Sequence, residues 1–152
     1  MAVKDSAFEW LVRVYYEDTD AGGLVYHARY LHFMERARTE WLRALGFEQQ
    51  QLRDERGILF AVRKMTLDFV RPARFDQLLR VTAMPTARGR ASIEFAQQVL
   101  DAGDGAVCCR ATVNVACIDA ARLRPTRIPG ALGAVLEPAD AVVVDGGVAH
   151  GR

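Results

Sequence analysis

Lysine is nearly absent from this sequence: Lys4 and Lys64 stand alone among twenty basic residues, the rest being arginine. Neither charge is in excess, since nineteen acidic residues leave a net charge of +1. A chain that coats nucleic acid usually carries a strong basic surplus, so that class is disfavoured. No run of eighteen or more apolar residues occurs, so no membrane span is expected. Lys4, Asp5, Ser6 and Glu9 interrupt the first ten residues, which lack the continuous apolar segment of a secretory signal. Cysteine is scarce and odd in number: Cys108, Cys109 and Cys117 show no CxxC spacing. The neighbours Cys108 and Cys109 point to opposite faces of a strand and do not easily bridge each other. Reduced thiols in a cytoplasmic protein are the expectation. Spaced Cys and His ligands for zinc are missing, as is a glycine-rich phosphate loop ending in Gly-Lys-Ser/Thr. No internal repeat and no second domain are visible.

What is present suits one domain with a full core: 152 residues, 51% of them hydrophobic. Phe8, Trp10, Val12, Val14 and Tyr16 alternate on one face and predict a first strand. A turn follows, Glu17-Asp-Thr-Asp-Ala-Gly-Gly23. The period then changes. Tyr30, Met34, Ala37, Trp41 and Leu45 recur at helical steps between Ala28 and Leu45, and Leu31, Phe33, Leu42 and Ala44 widen the stripe. This predicts a helix of about five turns wrapped on more than one side, ended by Gly46 in a left-handed cap. Residues 48–56 predict a short polar helix. Four alternating segments follow: Met65–Phe69, Leu79–Ala83, Ala91–Val99 and Val107–Cys117, the last three joined by short links as an antiparallel meander. The economical arrangement is an α+β fold, one antiparallel sheet wrapped around one long central helix. Residues 1–137 are expected to form this domain and residues 138–152 a C-terminal tail.

Chemistry is best sought in the link between first strand and long helix, Tyr15 to His27. A helix N-terminus presents unpaired backbone N–H groups and partial positive charge, which suits a carbonyl oxygen developing charge. Asp20 is the carboxylate placed beside it, followed by small Ala21, Gly22 and Gly23 that permit close approach. His27 falls at the helix start, and N–H groups around Tyr26, His27 and Ala28 are the oxyanion donors. On spacing alone, Asp18, Thr19 and Asp20 are equally ordinary turn or cap residues, and His27 an ordinary cap or surface residue. Glu35 and Glu40 on the helix pair with Arg36, Arg38 or Arg43, leaving little net charge for nucleic acid. Cys108 and Cys109 have no evident base beside them.

The run Val12-Arg-Val-Tyr-Tyr-Glu-Asp-Thr-Asp-Ala-Gly-Gly-Leu-Val-Tyr-His27, continuing Ala28-Arg-Tyr-Leu-His-Phe-Met-Glu-Arg-Ala-Arg-Thr-Glu-Trp-Leu42, closely resembles hotdog-fold acyl-CoA thioesterases of the 4-hydroxybenzoyl-CoA thioesterase type. Within them it is most similar to the bacterial branch associated with the Tol-Pal cell-envelope system. The likeness extends through Asp68-Phe-Val-Arg-Pro-Ala73 and Ala116-Cys-Ile-Asp119, over roughly residues 8–130.

The resemblance implies thioester hydrolysis on acyl-CoA. Asp20 matches the family's catalytic Asp, as nucleophile or as general base, with Gly23 completing the Asp-x-x-Gly pattern; Tyr26-His27 matches the Tyr-His pair, whose His is also functional. It implies a homodimer or homotetramer, no metal and no redox cofactor. CoA brings phosphates, and Arg71, Arg74, Arg88, Arg90, Arg124 and Arg127 are the candidates to meet them, although each is also an ordinary solvated charge by position. The alternative is a binding module for acyl groups or acyl carrier protein, acting with cell-envelope partners. Short aliphatic, aromatic and fatty acyl groups all fit the sequence equally.

Overall fold

A computed structural model describes residues 7–136 and 142–144. Strand β1 (Phe8–Arg13) precedes the long helix α1 (Arg29–Ala44), followed by a short helix α2 (Gln49–Arg56). Then come β2 (Ile58–Phe69), β3 (Leu78–Gly89), β4 (Ser92–Asp101), β5 (Val107–Asp119), α3 (Gly130–Leu136) and β6 (Val142–Val144). The strand order is β1-β3-β4-β5-β2, with β6 added on β3. Five antiparallel strands and a long helix make the α+β hotdog architecture that the order of elements predicts. β1 lies against the first half of β3, from Phe8↔Ala83 to Arg13↔Leu78. β6 runs parallel to the second half, from Ala87↔Val142 to Gly89↔Val144. The expected tail, 138–152, lies outside the described residues apart from β6.

The chain divides into two compact, interleaved units. The first gathers residues 7–41, 67–84 and 97–111. Its core centres on Tyr30, Phe33, Met34 and Ala37, which are 0–3% exposed. Their spacing of i, i+3, i+4 and i+7 puts them on one helix face, and each large apolar side chain so buried contributes roughly 1.5–3 kcal/mol. Val12, Val14, Leu79, Val81, Ala83, Val99, Cys108 and Cys109 are also buried in this unit. The buried Gln97 fastens helix to sheet. Its Nε2 donates to the Met34 carbonyl (3.1 Å) and the Thr82 carbonyl (3.0 Å), while its Oε1 accepts from Arg38 Nη1 (2.9 Å).

The second unit holds residues 42–66, 85–96 and 112–136, with β6. Gly46 ends α1 at φ +98°, a value that glycine reaches without penalty, and the Phe47 N–H returns to the Leu42 carbonyl at 3.2 Å. Leu42, Leu52, Ile58, Ile93, Phe95, Val113, Cys117, Ile128 and Leu132 form the core of this unit.

Four sequence readings change. The helix is covered less widely than its stripe predicts: Leu31 and Ala44 are exposed and Trp41 half-buried, while Leu42, off the Tyr30 to Ala37 face, is buried. Tyr16 leaves the strand for a 3-10 turn, Tyr16–Asp18, where its ring stacks on Phe75 at 4.1 Å. Trp10 is 38% exposed, because β1 is an edge strand with little cover. β2 begins at Ile58, well before Met65; Arg63 and Lys64 break the apolar alternation there, and Arg63 Nε spends its donor on Asn114 Oδ1 (3.0 Å).

Candidate active site

The turn before α1 is built on a carboxylate that is not the expected catalytic one. Asp18 is 4% exposed. Its Oδ2 accepts the Tyr15 N–H (2.9 Å), its Oδ1 faces Arg29 Nε (3.1 Å), and its backbone carbonyl accepts the Tyr26 N–H (2.9 Å). Asp18 therefore ties the entry of the turn to the start of the helix. Gly23 closes the loop at φ +82°, donating to the Asp20 carbonyl (3.1 Å) and accepting from the Phe75 N–H (3.1 Å). Val25 donates to the Ala73 carbonyl (2.9 Å), and Leu24 pairs with Arg74 as an isolated bridge. The Asp68–Ala73 run noted in the sequence is thus the strap beside the turn.

Asp20 caps its own turn. Its Oδ1 accepts from Gly22 N–H (2.8 Å) and Leu24 N–H (3.2 Å), while Oδ2 accepts no hydrogen bond among the described residues. One oxygen anchors the carboxylate in the turn, and that role leaves the other uncommitted among the described residues. Asp20 lines a cavity of about 420 Å³ together with Leu24, Val25, Tyr26, His27 and Tyr30, closed on the strap side by Phe69 to Pro72. Asp20 and His27, unlike in type, both line this one cavity. The Tyr26 and His27 rings lie 4.4 Å apart.

The candidate oxyanion donors narrow. The Tyr26 N–H is committed to Asp18, which removes it from the expected set. The N–H groups of His27 and Ala28 have no backbone acceptor among the described residues, because they lie in the unsatisfied approach to the first helical turn. Gly23 shapes the turn without lining the cavity, and Ala28 also stands outside its lining, whereas Tyr26 and His27 line it.

The arginines expected to meet CoA separate. Arg71 lines the Asp20 cavity, its Nη2 3.5 Å from Asp104 Oδ2. Arg74 is exposed, lies outside that lining, and its N–H donates to Gln77 Oε1 (2.9 Å). Arg88, Arg90 and Arg127 line a cavity of about 420 Å³ in the second unit, with Gly89, Ile128, Gly130 and Gly133. Arg124 lies outside that lining.

The sequence marks Asp18 as a turn or cap residue, the role it takes, but gives no sign of its partner Arg29; Tyr30 it assigns to the core alone. Tyr30 is buried and lines the cavity, and its phenol oxygen accepts the Ala73 N–H at 3.1 Å. Burial pushes its pKa up, with the Ala73 hydrogen bond acting in the opposite direction. The thiols are inert by position: burial drives Cys109 up to about 12 and Cys117 to about 11. No cluster of metal-ligating side chains occurs among the described residues.

A family model described as the thioesterase-like superfamily matches residues 14–136. The acyl-CoA thioesterase YbgC of Haemophilus influenzae is 46% identical over 125 residues, covering 82% of this chain and 90% of that protein. The acyl-CoA thioester hydrolase YbgC of Escherichia coli O6:H1 is 47% identical over 122 residues, covering 80% of this chain and 90% of that protein. Among solved structures, a probable thioesterase from Bartonella henselae superposes with a TM-score of 0.77 at 36% identity, over 82% of this chain and 100% of that one. With its carboxylate-bearing turn at the head of a long helix, and with a match running through both units, this chain belongs to the thioesterase-like superfamily.

Proposed function

We propose that this protein hydrolyses acyl-CoA thioesters to the free acid and CoA, with Asp20 as its catalytic carboxylate. The observation that carries the site is the division of labour at Asp20: Oδ1 is held by two N–H groups, Oδ2 accepts none among the described residues, and Asp20 lines a cavity that His27 also lines. Two routes use that oxygen. As general base, Oδ2 takes a proton from water while the water oxygen attacks the thioester carbon; the C–S bond breaks and the proton passes to the leaving thiolate. As nucleophile, Oδ2 attacks the carbon itself, expels the thiolate and forms an acyl anhydride that water then cleaves. In both, charge gathers on the carbonyl oxygen, and the N–H groups of His27 and Ala28 are the donors left to receive it. The His27 imidazole supports the same step as a hydrogen-bond donor. Label found in the Asp20 carboxylate after a single turnover in heavy-oxygen water marks the nucleophile route, with water cleaving the anhydride on the Asp20 side.

Arg71, in the cavity wall, is the first residue for the CoA phosphates, with Arg88, Arg90 and Arg127 a second group. A homodimer or homotetramer is supported by β2, an edge strand of twelve residues with Val62 and Phe69 exposed. Three buried, unbridged cysteines agree with a cytoplasmic setting, and no helix among the described residues is long and apolar enough to cross a membrane. Work alongside the Tol-Pal system or an acyl carrier protein rests on the sequence resemblance and is read by pull-down. The deciding experiment is thiol release from a panel of acyl-CoAs by the wild type and Asp20→Asn; turnover is expected only in the former, and full activity in the variant overturns the assignment.

A further inference from the structure

We propose that the Tyr30 ring is the floor of the Asp20 cavity and sets the length of acyl chain the protein accepts; this rests on acyl-thioester hydrolysis at that cavity. Tyr30 is only 3% exposed, yet it lines the cavity beside Asp20, Tyr26 and His27, so the little surface it shows faces that space. Three contacts hold the ring. Its oxygen accepts the Ala73 N–H at 3.1 Å, and its edges meet Phe33 (centroids 6.3 Å apart, planes at 75°) and Phe69 (5.6 Å, 61°). Swinging it aside would strand the N–H of Ala73, a residue with no exposed surface, without an acceptor.

Behind Tyr30 on the same helix face stand Phe33 and Met34, both fully buried, so the wall is backed by packed side chains. The lining combines polar Asp20, His27 and Arg71 with apolar Leu24, Val25, Phe69, Val70 and the Tyr30 ring. A thioester held at Asp20 therefore directs its hydrocarbon toward a rigid, uncharged surface. One methylene too many in such a pocket changes discrimination by roughly 10–200-fold.

The test is a straight-chain series, acetyl-, butyryl-, hexanoyl-, decanoyl- and palmitoyl-CoA, run on wild type, Tyr30→Leu, Tyr30→Ala and Tyr30→Phe. Binding of the corresponding non-hydrolysable thioether analogues is measured alongside kcat/KM. Removing the ring is expected to move the cut-off to longer chains, raising the decanoyl-to-butyryl ratio of kcat/KM by about tenfold or more. Tyr30→Phe keeps the ring and should keep the wild-type profile, losing rate on every substrate in parallel as the strap loosens. Unchanged profiles in folded Tyr30→Leu and Tyr30→Ala overturn the proposal. Should truncation unfold the chain, Tyr30→Trp is read instead: a bulkier floor must shorten the accepted chain, and an unmoved cut-off refutes it. A shifted binding profile without turnover in the wild type supports the floor and refutes hydrolysis; neither binding nor turnover in the wild type refutes both.

Discussion

Arg29 Nε lies 3.1 Å from Asp18 Oδ1, a guanidinium at the head of α1 set against a carboxylate that is 4% exposed. The same arginine donates from Nη2 to the Glu17 carbonyl at 3.2 Å. Because the same carboxylate also accepts the Tyr15 N–H, one buried charge ties the entry of the turn that carries Asp20 to the head of the helix. Removing one partner strands the other. Asp18→Ala should cost about 3 kcal/mol, read by urea denaturation, and should lower kcat as well because Asp20 loses its frame.

Asp20→Asn preserves an oxygen for the Gly22 and Leu24 N–H groups, so the turn survives. The thermal midpoint is expected to stay close to that of the wild type while kcat falls by roughly two to four orders of magnitude, the usual worth of a positioned acid or base. A parallel loss of stability and activity would instead mark Asp20 as structural.

Gly23→Ala tests backbone geometry alone. No atom lies within 4 Å of where its Cβ would sit, so nothing clashes, but φ +82° is unfavourable for an L-residue. A loss of about 1–2 kcal/mol is expected from strain. A neutral outcome would mean that the turn relaxes to another conformation.

The cysteines give a pH signature. With the folded thiols raised from 9.0 to about 12 for Cys109 and about 11 for Cys117, the unfolded chain loses these protons first. Their contribution to stability is complete below pH 9 and declines as pH rises toward the folded values near 11 and 12. Denaturation midpoints measured across that range should fall, and Cys109→Ala with Cys117→Ala should flatten the slope. A thiol reagent at neutral pH should label these residues only after unfolding.

Gln97→Leu leaves the Met34 and Thr82 carbonyls without their Nε2 donor and Arg38 without its acceptor. The expected cost is about 1–3 kcal/mol by chemical denaturation.

Much of this was legible in residue order. The 3.6 period from Tyr30 to Ala37 marked the helix, Gly46 marked its end, and the alternations after Leu79 marked a meander. The Asp20 to His27 run marked the turn. What escaped was decided by tertiary partners. Arg63 and Lys64 hid the first half of β2 because charge on a strand face looks like a loop until Asn114 is seen opposite. Leu31 looked like core because a single sequence does not say which flank of a stripe is covered. Tyr26 offered an N–H whose acceptor, eight residues earlier, no spacing rule reveals. Tyr30 served both core and cavity, and periodicity registers only the first. Helix α3 hid behind its glycines, although Pro129 just ahead of Gly130 was a start signal.

The parallel docking of β6 bears on how the chain is handled. β1 accounts for β3 only up to Ala83, and Ala87 to Gly89 find their ladder in Val142 to Val144. Clipping the protein short of those valines would bare a stretch of unsatisfied peptide groups, a template on which another molecule's backbone adds. Truncated preparations should therefore self-associate and scatter light where the intact protein stays dispersed.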